Sequence, residues 1–382
     1  MYRGYIFRLY PNNNQKQLID KSLGVTRFIY NYFLDLNIKK YQETKKIYSY
    51  YDLSRMIPQL NNEYPFLKEV DSCIIRTSLM NLTDSYQNFF KGKGLPNFKK
   101  KGIKDSFKTS NNVSTYKGRT YNSIELDLIN RKVKLPKLGL IDIKGYRNLK
   151  KINGKIKSSV VRKISDRYYV SILVEENILI PSIVHKTIVG IDLGIKDMVI
   201  TSEGIKLNNP NKERLERLKK RLKGLSKKLS RSKKDSKNRY KLIIKIQRLY
   251  QKMNNLKKHL INELANTITK ENDIIVLENL DIKKMYQEHK IARKLVDIPL
   301  YKLIETIKWK SKLRNKKVIQ IDRYYASSRI CNRCDYKNNE VKDLKIRKWE
   351  CPKCGSIHDR DINASINIMF RGLEKYMKEQ YV

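Results

Sequence analysis

The sequence predicts a mixed α/β chain: a β-domain interrupted by a helical insertion, then an α/β domain with a cysteine-rich insert near its end. Three observations carry this. A strand pattern at residues 2–10 gives way to helical periodicity, and short strand patterns resume only at about residue 113. Two hydrophobic runs, TIVGIDLG (187–194) and NDIIVLENL (272–280), read as buried strands that each end at an acid. Two C-x2-C pairs, Cys331/Cys334 and Cys351/Cys354, stand sixteen residues apart and lead into HDRDINASINI (358–368).

The first strand, YRGYIFRLY, alternates in character and stops at Pro11-Asn12-Asn13. Helices are expected over about 14–44, 51–60 and 71–92. Leu18, Leu23, Phe28, Tyr32 and Leu36 mark apolar faces, and Ile75, Leu79, Leu82, Tyr86 and Phe89 keep a 3.6-residue period. KGKGLPNFKKKGIK (91–104) is a basic loop punctuated by Gly and Pro. IELDL, RKVKLP, LIDIK, SSVVRKI and RYYVSILVEE then read as strands between 113 and 183, completing the β-domain that residues 2–10 began. After TIVGIDLG, a turn at 195–197 leads to a hairpin partner, MVITSEG (198–204). Residues 211–270 form long basic helices interrupted near 230–236 by a polar loop. The second acid-terminated strand follows, then a helix over YKLIETIKWKSKLRNK, a strand KVIQIDR (317–323), the cysteine insert, and a last helix at about 361–379.

Composition narrows the function. The 382 residues include 83 Lys and Arg against 38 Asp and Glu, a formal net charge of +45. Abundant Lys, Asn, Ile and Tyr fit an AT-rich coding bias, but that bias should raise Glu as well. The basic excess therefore points to a polyanion, and nucleic acid is the natural one. Four of the five cysteines fall in the paired motif, which argues against a disulfide framework. Cys73, alone on an apolar-periodic helix, reads as a core thiol. No run approaches the eighteen apolar residues of a membrane span, and MYRGYIFRLY has no signal-peptide core. A cytoplasmic protein is expected.

Two kinds of metal chemistry are indicated. Four thiolates on two short knuckles can close a tetrahedral Zn2+ site, and this spacing falls within the zinc pattern. That tetrahedron leaves His358 as a neighbour or a surface residue, not a ligand. Asp192 and Glu278 each follow a hydrophobic run, and Asp361 opens the terminal helix. Converging carboxylates can bind two Mg2+ ions that clamp the attacking water and leaving oxygen of a phosphodiester. Each acid alone has a plainer reading. Asp192 could cap a turn, and Asp361 could be a helix N-cap with Asp359 the acid that matters. Arg76, Thr77 and Met80 lie off the apolar stripe of helix 71–92, where they could contact bases or form an ordinary solvated face. Lys219, Lys220 and Arg221, with Arg231, Lys233 and Lys234, are candidates for phosphate contact.

At these residues the chain resembles the TnpB family of transposon-encoded RNA-guided DNA nucleases, relatives of the type V CRISPR effectors. YIFRLYPN (5–12), GVTRFIYN (24–31), GLPNFKKK (94–101), VGIDLGIK (189–196), VLENL (276–280), SSRICNRC (327–334) and the 351–368 motif carry the resemblance. It implies a RuvC (RNase H-like) nuclease domain at 185–327 and 358–382 with a zinc-ribbon insert at 328–357. It also implies a β-barrel-like (wedge) domain at 1–12 and 113–184 that carries a helical recognition insert at 13–112. The family's catalytic triad falls on Asp192, Glu278 and Asp361, with two Mg2+ ions (or Mn2+) and one structural Zn2+ expected. The implied partners are a guide RNA from the transposon end and double-stranded DNA bearing a short target-adjacent motif, one protein per RNA, in a bacterial cytoplasm and on the nucleoid when bound. Two alternatives stay open: an RNA-independent RuvC-type resolvase or transposase, and a nuclease-inactive RNA-guided repressor.

Overall fold

A computed structural model describes residues 1–380 apart from 103–104, 146–151, 195–196, 289–291, 293–294, 296–298 and 344. The chain forms two compact units, the first ending at Ile178 and the second starting at Leu179.

The first unit is built on β1 (Tyr2–Tyr10), whose alternation places Tyr5, Phe7 and Leu9 in the core. Asn12 stops the strand and starts α1 (Asn13–Thr44) through a reciprocal capping box with Gln15. α2 (Tyr50–Glu63) and α3 (Ser72–Phe90) complete the helical insertion, α3 burying Cys73, Ile74, Ile75, Leu79, Leu82 and Tyr86. The chain then returns to the sheet as β2 (Ser106–Ser110), β3 (Val113–Tyr116), β4 (Arg119–Asn122), β5 (Glu125–Asp127), β6 (Lys132–Leu135), β7 (Gly139–Lys144), β8 (Lys155–Ile164) and β9 (Arg167–Glu175). Seven strands pair antiparallel in the order β2-β8-β9-β1-β7-β6-β5, with Phe7 opposite Val170 and Leu9 opposite Ile143. β3 and β4 form a separate exposed hairpin.

The sheet resumes at Ser106, inside the stretch the sequence assigned to the helical insertion. The reason is local: SFKTS is a polar edge strand that buries only Phe107 and Thr109, too weak a pattern to read as a strand.

The second unit contains a five-stranded sheet of β10 (Ile188–Asp192), β11 (Val199–Thr201), β12 (Lys206–Leu207), β13 (Ile274–Leu277) and β14 (Lys317–Gln320), in the order β12-β11-β10-β13-β14. β10, β13 and β14 run parallel, whereas β11 and β12 form an antiparallel meander. Two residues of the expected turn before β11, 195 and 196, lie outside the described residues. The helices are α4 (Lys212–Ser230), α5 (Lys237–Glu271), α6 (Ile282–Gln287), α7 (Leu300–Leu313) and α8 (Arg360–Gln380). All four β13 residues are buried because helices cover both faces of the sheet. On one face Val189, Ile191, Ile275 and Leu277 pack with Leu264 and Ile268 of α5 and Leu303 and Ile307 of α7. On the other, Ile274, Val276 and Ile319 pack with Ile368 of α8.

Two glycines let α8 sit this close. A Cβ on Gly190 would lie 2.0 Å from the Ser365 carbonyl oxygen, and one on Gly372 would lie 2.3 Å from Val276 Cγ1. The helix therefore rests directly on the sheet. β15 (Lys348–Glu350) and β16 (Ile357–Asp359) form a small antiparallel ribbon that runs into α8.

Candidate functional site

Asp192 ends β10 and Glu278 follows β13. These strands are parallel neighbours with Ile191 opposite Leu277, so both acids emerge at the same sheet end. Asp361, in the first turn of α8, is carried to them by the close seating of that helix. Their proximity shows in their electrostatics. Burial first, then the negative charges of Glu278 and Asp361, push the Asp192 carboxyl up to about 7. Burial also raises Glu278, opposed by the Ser327 hydroxyl, whose Oγ donates to Glu278 Oε1 at 3.3 Å.

The sequence Asp359-Arg360-Asp361 resolves into three roles. Asp359 Oδ1 accepts from the backbone N–H groups of Asp361 and Ile362 at 3.1 and 3.2 Å, while its Oδ2 pairs with Lys206 Nζ at 2.7 Å. Burial pulls its carboxyl upward, but Lys206 and those N–H groups outweigh it and hold it below the ordinary range. Arg360 is buried and donates to the carbonyls of Asp343 and Ile346 at 2.7 and 3.5 Å, fastening the ribbon loop. Asp361 is the acid whose charge reaches Asp192, and it accepts from Arg347 Nη1 at 3.1 and 3.3 Å.

The donors are all carboxylate oxygens, the set a hard divalent cation takes. Burial and the repulsion of the neighbouring acids together raise Asp192, the cost of holding like charges at a buried sheet end. Among the described residues the acids do not gather within 4.8 Å of one another, a closeness that the four cysteines reach.

Cys331 Sγ lies 3.7 Å from Cys354 Sγ, and Cys334 Sγ lies 3.5 Å from Cys351 Sγ. Tetrahedral zinc with bonds of about 2.3 Å needs sulfurs about 3.8 Å apart, so the thiols are spaced to hold one ion. Each knuckle closes the same way: the N–H four residues after its first cysteine donates to that cysteine's carbonyl, Asp335 to Cys331 and Gly355 to Cys351. Both residues take positive φ, 58° and 68°. His358 is buried, its ring 4.7 Å from that of Trp349 and its Nε2 3.1 Å from Cys331 Sγ and 2.8 Å from Ser356 Oγ. It borders the cysteine cluster and is no surface residue.

The remaining candidates are dispersed. Arg76 and Met80 are exposed and Thr77 half-buried on α3, in the first unit. Lys220 and Arg221 are exposed on α4 in the second unit, where Lys219 pairs with Glu216 at 2.8 Å. The ribbon's basic loop, 342–348, includes residue 344, which lies outside the described residues. Sequence reading missed Ser327, Arg347 and Lys206, each in contact with one of the acids of this region. Only Ser327 stood in a quoted motif, and a lone serine or basic residue carries no signal of its acidic partner.

Three family descriptions match the chain. "Helix-turn-helix domain" matches residues 1–46, "Probable transposase" matches 171–289 and "Cas12f1-like, TNB domain" matches 301–368. The first is not literal here, because residues 13–44 form one continuous helix after β1. A protein of Streptomyces pristinaespiralis named "Putative RNA-guided DNA endonuclease" is 29% identical over 97% of this chain and 89% of its own length. One of Escherichia coli (strain K12) with the same description is 26% identical over 97% and 92%. Among solved structures, a Cas12f1–sgRNA–target DNA complex matches with a TM-score of 0.60 and 13% identity, covering 97% of this chain and 98% of that one. At that identity the likeness is one of fold.

Proposed function

The chain belongs to the TnpB family, and from that premise we propose that it is an RNA-guided DNA endonuclease whose acid cluster works with bound Mg2+. The observation that carries the reading is the convergence of Asp192, Glu278 and Asp361, distant in sequence, on one end of the sheet. The strand order supports a RuvC-like (RNase H-like) domain at 185–327 and 358–382, with residues 328–357 as its zinc ribbon. Asp359 is occupied by the helix cap and Lys206, which favours Asp361 as the third acid.

Asp192, Glu278 and Asp361 would hold two Mg2+ ions, which when bound activate a water and stabilise the leaving oxygen of a phosphodiester. The protein's own part is to position and to protect charge. Burial, with the charges of Glu278 and Asp361, raises the Asp192 carboxyl to about 7, so that it still holds its proton for part of the time near neutrality before a cation binds. Ser327 restrains one oxygen of Glu278, and Arg347 holds Asp361. The four cysteines would hold one structural Zn2+ that anchors the ribbon at the start of α8.

The relatives' names and the Cas12f1 complex suggest the partners: a guide RNA and a double-stranded DNA target. Guide pairing would read the sequence, and the protein would read only a short motif beside it. Arg76, Met80 and Thr77 would take part in that reading, and Lys219, Lys220 and Arg221 would neutralise phosphates; the exposure of Arg76, Met80, Lys220 and Arg221 supports this. The test separates binding from cutting. Asp192→Ala and Glu278→Ala should abolish cleavage of guide-complementary DNA while guided binding persists. Loss of binding together with cleavage would contradict a catalytic assignment.

A further inference from the structure

The end of the chain carries two asparagines, Asn363 and Asn367, one helical turn apart on α8. Both are buried, at 1% and 3% exposure, where an amide needs partners. Each finds them in the same short segment, residues 327–332, which follows β14 and runs into the first cysteine knuckle. Asn367 Nδ2 donates to the Ser327 carbonyl at 2.8 Å and to the Ile330 carbonyl at 2.6 Å. Asn363 Nδ2 donates to the Ile330 carbonyl at 2.7 Å, and its Oδ1 accepts from the Asn332 N–H at 3.1 Å. Asn363 thus uses both ends of its amide, which fixes its orientation.

Two functional groups hang on this clamp. Cys331 lies between the clamped Ile330 and Asn332, and Ser327, gripped through its carbonyl, gives its hydroxyl to Glu278. Asp361 precedes Asn363 by two residues on the same helix. One rigid helix therefore presents the third acid, sets the entry to the cysteine cluster and holds the residue that orients the second acid.

We infer that Ser327 is a positioning residue for Glu278, held in place by the Asn363–Asn367 clamp, so that the anchorage of the ribbon and the cation-binding geometry of the acid cluster form one unit. The inference rests on the proposed metal-dependent reading of the acids. An exposed hydroxyl would contribute little, but this serine is buried at 6% exposure and its hydroxyl has a carboxylate acceptor. Outer-shell hydrogen bonds of this kind change metal affinity by about 10-fold or more.

The test reads cation binding directly. Mn2+ is titrated into zinc-loaded protein and followed by electron paramagnetic resonance, with guided cleavage measured in parallel. Asp192→Asn identifies the Mn2+ site of the acid cluster by removing it. Ser327→Ala should weaken that site about 10-fold with zinc content and melting temperature unchanged, and Ser327→Thr, which keeps the hydroxyl, should restore it. Asn367→Ala should weaken it in the same direction. Wild-type Mn2+ affinity in Ser327→Ala would overturn the inference, as would a wild type with no site sensitive to Asp192→Asn. Mn2+ binding that follows this pattern in a protein that never cuts would instead contradict the endonuclease reading and leave the positioning role standing.

Discussion

Replacing Asp192 by Asn should make the protein more stable while removing its activity, and by an amount that depends on pH in a defined way. The Asp192 carboxyl lies near 7 in the fold against 3.8 for a free side chain, so the folded protein holds this proton more tightly than the unfolded chain. The stability linked to that proton is fully present below pH 3.8 and is lost as pH rises towards 7. Three pH units at 1.36 kcal/mol each amount to about 4 kcal/mol of destabilisation, complete above neutrality. Asn carries no charge and escapes the loss. In a unit of this size 1 kcal/mol moves the melting temperature by about 2–4 °C, so Asp192→Asn should melt roughly 8–16 °C higher at pH 8. The gain should shrink steadily to nothing near pH 4. Differential scanning calorimetry of zinc-loaded protein without added Mg2+ is the assay, and the difference between variant and wild type cancels the protein's other titrations. Adding Mg2+ should then raise the wild type much more than the variant. A difference that is absent at pH 8, or the same at pH 5 and pH 8, would refute the picture of a charge cluster awaiting a cation.

Gly190→Ala places a Cβ against the Ser365 carbonyl, and α8 must move; we expect a loss of about 1–3 kcal/mol in urea unfolding together with loss of cleavage, whereas wild-type activity would mean that the seating of α8 does not matter. Asp335→Gly relieves a left-handed backbone at the first knuckle, where the second already has Gly355; the zinc-loaded protein should gain about 0.5–1 kcal/mol in thermal unfolding, and a fall would count against the equivalence of the knuckles. Arg347→Gln removes the cation beside Asp361; because the Arg347 side chain is 50% exposed, the effect on divalent-cation affinity should be a tightening of at most about fivefold. Weaker cation binding in that variant would make Arg347 a support of the site and not a competitor for it.

The parts of the fold that were legible are those in which one local pattern decides. A parallel strand covered on both faces is a continuous hydrophobic run, so β10 and β13 stood out with Asp192 and Glu278 at their ends. The paired cysteines announce their own cluster. What the sequence hid depends on partners far along the chain. β2 is recognisable only once β8 is beside it, and the β3–β4 hairpin buries too little to leave a pattern. Asp359 and Asp361 look alike as letters, and Lys206 and Arg347 distinguish them in space. Gly190 and Gly372 look like ordinary glycines until α8 is laid against the sheet. Asn363 and Asn367 stand in a motif that was visible, but their task is set by the carbonyls of residues 327–330, which no periodicity reveals.

The central claim is that this chain cuts DNA where a bound RNA directs it, using the acids at the end of its sheet. The most direct measurement is retargeting. Protein purified from cells expressing its native locus is sequenced for bound RNA, the guide segment is exchanged for an unrelated sequence, and cleavage of both targets is mapped in Mg2+. The account predicts that cutting moves with the guide and disappears in Asp192→Ala. Cutting that stays at one DNA structure whatever RNA is present, or that survives Asp192→Ala, would contradict it.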